Sequence, residues 1–132
     1  MSKDIFHNTL AEIGLNIQTF ASDTDTNGNI IDMQNFESGK VVLALGTLTA
    51  GDIAIKEIQE SDASDMTGAT VIPADRIFGA ITALDTANTK TELGFHQAKR
   101  YIRPVFTTDN TATALVAGAI VEKGEPHTAP TQ

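Results

Sequence analysis

The sequence predicts an all-β fold: an antiparallel, jelly-roll-like β-sandwich with a short N-terminal helix or extended arm. Three observations point there. Short apolar runs recur between clusters of Gly, Asn, Asp and Thr, at the spacing expected of sandwich strands. The composition is rich in Thr and Ala, with 10 Gly, 4 Pro, no Trp and 5% aromatics, which suits strands and turns rather than helices. Two β-rich runs, Lys99–Phe106 and Ala114–Glu122, flank the polar stretch Thr107–Thr113 and read as a hairpin with a long loop.

The elements follow in order. Ser2–Gly14 is the one helix candidate, because Phe6, Leu10 and Ile13 share a helical stripe; the alternative is an arm that orders against a neighbour. Leu15–Ala21 alternates as a strand. Ser22–Asn29 is a polar loop with an Asn27-Gly28 turn signal, and Ile30–Met33 is a short strand. Val41-Val42-Leu43-Ala44-Leu45 reads as a strand buried on both sides. Thr49–Asp52 is a hairpin turn with Gly51 free to take positive φ. In the returning strand, Ile53 and Ile55 share a face that Ile58 leaves, so a bulge is expected near Glu57. Thr70–Ile72 is a short strand stopped by Pro73, Ala74–Arg76 a turn, Ile77–Leu84 a strand weakened by Gly79, and Thr89–His96 a strand with Leu93 and Phe95 on one face. Pro104 is expected at an edge or bulge. The domain division is 1–14 arm or short helix, 15–122 sandwich and 123–132 extended tail.

The chain has 132 residues and no cysteine. That is one domain without disulfides, thiolate chemistry or zinc-finger spacing. No signal peptide and no transmembrane segment are read from the sequence. The formal net charge of −8 argues against nucleic acid as a partner, since phosphate binding needs clustered Lys and Arg. No cofactor is implied.

The sharpest motif is Asp23–Gln34, which matches an EF-hand calcium loop at Asp23, Asp25, Asn27 and Gly28, with Asn29 as a further oxygen donor. Against that reading, neutral Gln34 replaces the bidentate Glu, the preceding segment alternates like a strand, and the loop is single. A polar strand–turn–strand loop is preferred. Glu57, Glu60, Asp62 and Asp65 form an acidic cluster, read as a solvated loop end. His7, His96 and His127 are far apart in sequence, and no Gly-x-Ser-x-Gly elbow, P-loop or dinucleotide fingerprint is present. No catalytic residue is read, and an enzyme is not expected. Lys99, Arg100 and Arg103 make a basic spot, either a contact for an acidic partner or charge balance against Glu92 or Glu122.

Three stretches in order carry a resemblance: Thr19–Ser38; Gly46-Thr47-Leu48-Thr49-Ala50-Gly51-Asp52 with Glu57–Asp62; and Gly94–Arg103, closing with Val116–Lys123 and the Pro- and His-containing tail. Together they resemble a family of small tailed-phage virion proteins encoded near the major capsid protein. The chain departs from that pattern at Ala50-Gly51-Asp52 and at Pro104. The resemblance implies a jelly-roll or sandwich decoration protein, made in the bacterial host cytoplasm and carried on the capsid surface of the virion. It implies a non-enzymatic homo-oligomer, a trimer by preference, whose partners are the major capsid protein and neighbouring copies of itself. A head–tail connector or tail component, and a calcium- or carbohydrate-binding sandwich module, are the alternatives.

Overall fold

A computed structural model describes residues 5–126. After one helical turn, α1 (Ile5–Asn8), strands dominate: β1 (Leu10–Phe20), β2 (Asp25–Asn27), β3 (Ile31–Asp32), β4 (Phe36–Leu45) and β5 (Ala50–Ser61). Then come β6 (Thr70–Val71), a 3-10 turn at Ala74–Arg76, β7 (Ile77–Phe78), β8 (Thr89–Phe95), β9 (Tyr101–Thr113) and β10 (Leu115–Pro126). They form two antiparallel sheets. The first runs β1–β10–β4–β8–β7; the second runs β2–β9–β5–β6, with β3 pairing alongside β2 on β9. From β4 onward the long strands β4, β5, β8, β9 and β10 alternate between the sheets, and the two strand orders follow the jelly-roll plan. Leu43, Leu45, Ile53, Ile55, Phe106 and Leu115 are among the residues buried between the two layers.

That alternation corrects two hairpin expectations. β4 and β5 lie in different sheets, as do β9 and β10. Alternating apolar residues show that a strand has one buried face, but not whether its neighbour in sequence lies beside it or across the core. Thr107–Thr113, expected as a turn, is strand. Its β-branched threonines suit a pleated ladder, and Thr107 and Thr108 pair with Ala54 and Ile53. The break between β9 and β10 falls at Ala114, at φ +48.

The N-terminal boundary also moves. Leu10–Gly14 is not helix but the start of β1, with Leu10 opposite Lys123 on β10. Likewise Lys123–Pro126 belongs to β10 and pairs with Phe36–Gly39, so the sandwich extends beyond both expected limits. Here Lys123 is buried: its ammonium donates to Asp32 O at 3.0 Å, meets Glu12 at 2.6 Å and lies over the Phe36 ring. The rest of the expected tail, residues 127–132, lies outside the described residues, as does His127.

Ile77–Leu84 is strand only over Ile77–Phe78. Gly79, at φ +105, turns the chain away, and Leu84 instead exchanges backbone bonds with Ile53 of the second sheet. The bulge near Glu57 is found: the β5–β9 register slips between Ile55 and Glu57, and Ile53, Ile55 and Ile58 are all buried.

Pro104 lies inside β9, flanked by β5 on one side and β2 and β3 on the other. Its carbonyl accepts from Gly28 N–H at 2.7 Å. The N and O of a strand residue point to the same edge, so its missing N–H faces the interruption between β2 and β3. Gly28 is required there. A Cβ would collide with Gly14 O and stand 2.8 Å from Pro104 O. Asn29 N–H donates to Gly14 O at 2.8 Å, which stitches edge strand β1 to the second sheet.

Candidate functional site

The two candidate calcium carboxylates, Asp23 and Asp25, go to separate protein partners. Asp23 accepts from Thr111 N–H at 3.1 Å and Ala112 N–H at 2.7 Å. These two N–H groups belong to an arc in β9 where Asn110 and Thr111 take positive φ, and Gly51 packs against Ala112. The carboxylate therefore caps a backbone nest. Asp25 lies in β2 and meets Lys56 Nζ at 2.6 Å; the Lys56 hydrogen bond, then that of Thr107, holds its carboxyl below the usual range. Asn27 is the last residue of β2. Asn29 Nδ2 donates to Ile13 O and Asn16 Oδ1 on β1. No group of three or more His, Cys, Asp or Glu poised for a metal ion occurs among the described residues.

The acidic cluster divides. Asp65 accepts from the hydroxyl and N–H of Thr67. Glu60, only 3% exposed, takes the Arg76 guanidinium on both oxygens, at 3.3 and 2.8 Å, and Ala98 N–H at 2.7 Å. Burial pushes its carboxyl up, but Arg76 and the N–H groups of Ala98 and Lys99 outweigh that and hold it below the usual range. Arg76 also donates to His96 O at 3.0 Å. The pair thus clamps β5, the 3-10 turn and the β8–β9 connection.

Arg100 and Arg103 of the basic spot pair elsewhere than with Glu92 or Glu122. Arg100 forks onto Asp32 at 3.0 and 2.9 Å and lies over the Tyr101 ring. Arg103 donates to Gln59 Oε1 at 3.2 and 2.7 Å. Glu92 is held instead by Lys40 and Lys90, which lower its carboxyl to about 2. Lys99 and Arg100 stand at the rim of an open pocket of about 500 Å³ that includes Gln97 and Phe36. Gln97 Oε1 is buried there without a partner.

The feature missed from sequence is apolar. On the outer face of the first sheet, Ile13, Ile120 and Val42 lie in register across β1, β10 and β4, with Gly118 and Ala44 in the next row. They line a groove of about 330 Å³. A β1 irregularity between Leu15 and Gln18 raises Ile17 over Gly118, and Ile17 is 79% exposed. The signal is present in Val41–Leu45, whose unbroken apolar run predicts burial on both faces. Val41, Leu43 and Leu45 are buried, while Val42 and Ala44 face this groove. The rim toward β8 carries Lys40, Glu92 and Lys90, joined in a row of ion pairs. No helix among the described residues is long and apolar enough to cross a membrane.

No protein-family model matches the chain, and no curated protein matches it. Among solved structures it is similar in fold to the PBSX exported protein XepA, with TM-score 0.58 and 15% identity over 93% of this chain and 39% of XepA. The chain therefore spans well under half of XepA's length. Weaker likenesses are to the SPBc2 prophage-derived protein YomS (TM-score 0.49, 11% identity, 89% of this chain and 94% of YomS) and to PirA (TM-score 0.41, 11% identity, 95% and 97%). XepA and YomS are phage-derived proteins.

Proposed function

We propose that this chain is a structural protein of a tailed phage, one that docks on the assembled head shell through the outer face of its first sheet and stabilises it. The observation that carries the reading is the apolar groove around Ile13, Ile17, Val42 and Ile120. It is an exposed apolar surface on a layer whose other face already packs the core, and such patches mark interaction sites. The carboxylates of Asp23, Asp25, Glu60 and Glu92 are tied into caps, clamps and ion pairs within the fold. The ordered resemblance to tailed-phage virion proteins supports the phage assignment, and the fold likeness to phage-derived XepA agrees with it.

Burying the exposed parts of Ile13, Ile17 and Ile120 contributes on the order of 1–2 kcal/mol each. One such contact is weak. A shell repeats its sites, so contacts from a homo-oligomer, a trimer by cyclic closure, add through multivalency. The partners are then the major capsid protein and neighbouring copies, with the basic spot at Lys99, Arg100 and Arg103 as a secondary contact. The place of action is the capsid surface, and no catalytic step is assigned.

The test is to mix purified protein with expanded shells and image them by cryo-electron microscopy. Ordered density at lattice positions, lost with Ile17→Lys while the variant's melting temperature stays unchanged, is the expected result. Bare shells with wild-type protein would overturn the head-surface role and turn attention to the connector and tail.

A further inference from the structure

On the side away from the Gly14–Gly28 seam, the two sheets end on short edge strands, β7 and β6. Between them lies a cleft of about 480 Å³. Ile58, Ile72 and Leu93, all buried, form part of its wall; Gly79 and Ile81 also line it, and Ile81 is 59% exposed.

β7 covers β8 at only two positions, Ile77 opposite Phe95 and Phe78 opposite Gly94. Next to them, His96 N–H donates to Arg76 O at 2.9 Å. Backbone groups of alternate strand residues point to the same edge, so those of Gly94, Glu92 and Lys90 face the β7 side. Phe78 covers Gly94. Beyond it, no backbone partner meets Glu92 or Lys90 on that edge among the described residues. The chain that would cover them leaves at Gly79, whose φ is +105, and runs to Leu84 on the second sheet.

The residues beyond Gly79 nonetheless fit β8. Continuing the β7 register sets Gly79 opposite Leu93, Ala80 opposite Glu92 and Ile81 opposite Thr91. Ala80 and Glu92 then exchange both backbone hydrogen bonds. Ile81 takes the parity of Ile77, which packs against the core, and faces inward as Leu93 and Phe95 do. The Leu84–Ile53 bridge survives the change. Three residue steps of about 3.3 Å cover the roughly 10 Å between stacked sheets.

We propose that Gly79–Ile81 is a strap with two positions. In one it stands off β8, with Ile81 exposed and the cleft open. In the other it zips onto β8 through the Ala80–Glu92 pair, and Ile81 closes the cleft.

Gly79→Val tests this. A Cβ at Gly79 meets only Glu92 O at 3.5 Å and Leu93 Cδ1 at 3.8 Å, so space is not the obstacle; the positive φ is. A β-branched residue is strained at that φ and at ease when extended. Backbone amide exchange followed by NMR should then slow about tenfold or more at Glu92 and Ala80. Lys90, beyond the zipped pair, should be unchanged. Unaltered exchange at Glu92, or faster exchange along the whole of β8, overturns the proposal. The Ile81→Cys/Thr91→Cys double variant is a second arm, because a non-hydrogen-bonded antiparallel pair sits at disulfide distance. It should form an intramolecular disulfide under mild oxidation and protect the Glu92 amide until reduced. Failure to form the bond, or a bond that leaves Glu92 unprotected, also overturns the strap.

Discussion

Glu60→Leu is the most informative single change. The native carboxylate neutralises Arg76 and caps the Ala98 N–H in a site that is 3% exposed. Leucine fills a similar volume but leaves both partners behind. Stranding one member of a buried ion pair costs about 3–5 kcal/mol. Because the Arg76 side chain keeps 26% exposure and regains some water, the lower end, about 3 kcal/mol, applies. With a urea slope of about 2 kcal/mol/M for a domain of this size, the unfolding midpoint should fall by about 1.5 M. The double variant Glu60→Leu/Arg76→Met removes the stranded charge but not the stranded N–H, so it should recover about half of the loss. Equilibrium urea titration followed by circular dichroism reads both. A single-variant midpoint within about 0.3 M of wild type, well inside the shift that slope predicts, would refute the clamp. A double variant no better than the single would show that the cap, not the charge, carries the cost. The pH dependence has a fixed sign. The folded carboxyl titrates below its unfolded counterpart. Its contribution is therefore complete above the unfolded range and is lost as pH falls through the folded value.

Three further outcomes are expected. Gly28→Ala should lower stability by about 2–4 kcal/mol, since Gly14 O and Pro104 O leave no room for a methyl group and backbone must move; thermal melting checks this, and a near-neutral change would contradict the seam. Asp23→Ala should cost about 1–2 kcal/mol by uncapping the Thr111 and Ala112 N–H groups, and amide exchange at those two residues should quicken whether or not calcium is present. In a carboxyl NMR titration, Glu92 should change ionisation near 2 because of Lys40 and Lys90. The row of ion pairs that it holds then persists from neutral pH down into that range and fails below it.

The sequence made the class of fold and several local devices legible. The break in parity at Ile53, Ile55 and Ile58 announced the β5 bulge, because burial demands one face and the count of residues did not supply it. Asn27-Gly28 marked a turn, but its reason, the approach of Gly14 O, is a contact between segments far apart in the chain. The strand partners were hidden for the same reason. Thr107–Thr113 looked like a turn because it is polar, yet Thr108 is buried, donating its hydroxyl to Ser22 O and accepting from Thr24 N–H. A threonine side chain satisfied this way leaves no trace in a hydropathy pattern. Lys123 opens a stretch whose Gly124, Pro126 and Pro130 suggest a tail, yet its three partners come from β1, β3 and β4. Of the candidate contacts, the basic spot was visible as a run of charge. The apolar face was not, because Ile13, Ile17, Val42 and Ile120 are brought together by three strands.

The position of β10 has a consequence for how the protein is made. β10 lies between β1 and β4, so until Leu115–Pro126 has left the ribosome the first sheet consists of two pieces with a missing centre. β1, synthesised first, has no lateral partner in its own sheet until then. The nascent chain must therefore hold its apolar residues without a finished layer to bury them in, and cooperative folding waits for the strand made last among those described. A ribosome stalled anywhere before Leu115 would present a chain that chaperones still recognise as unfolded.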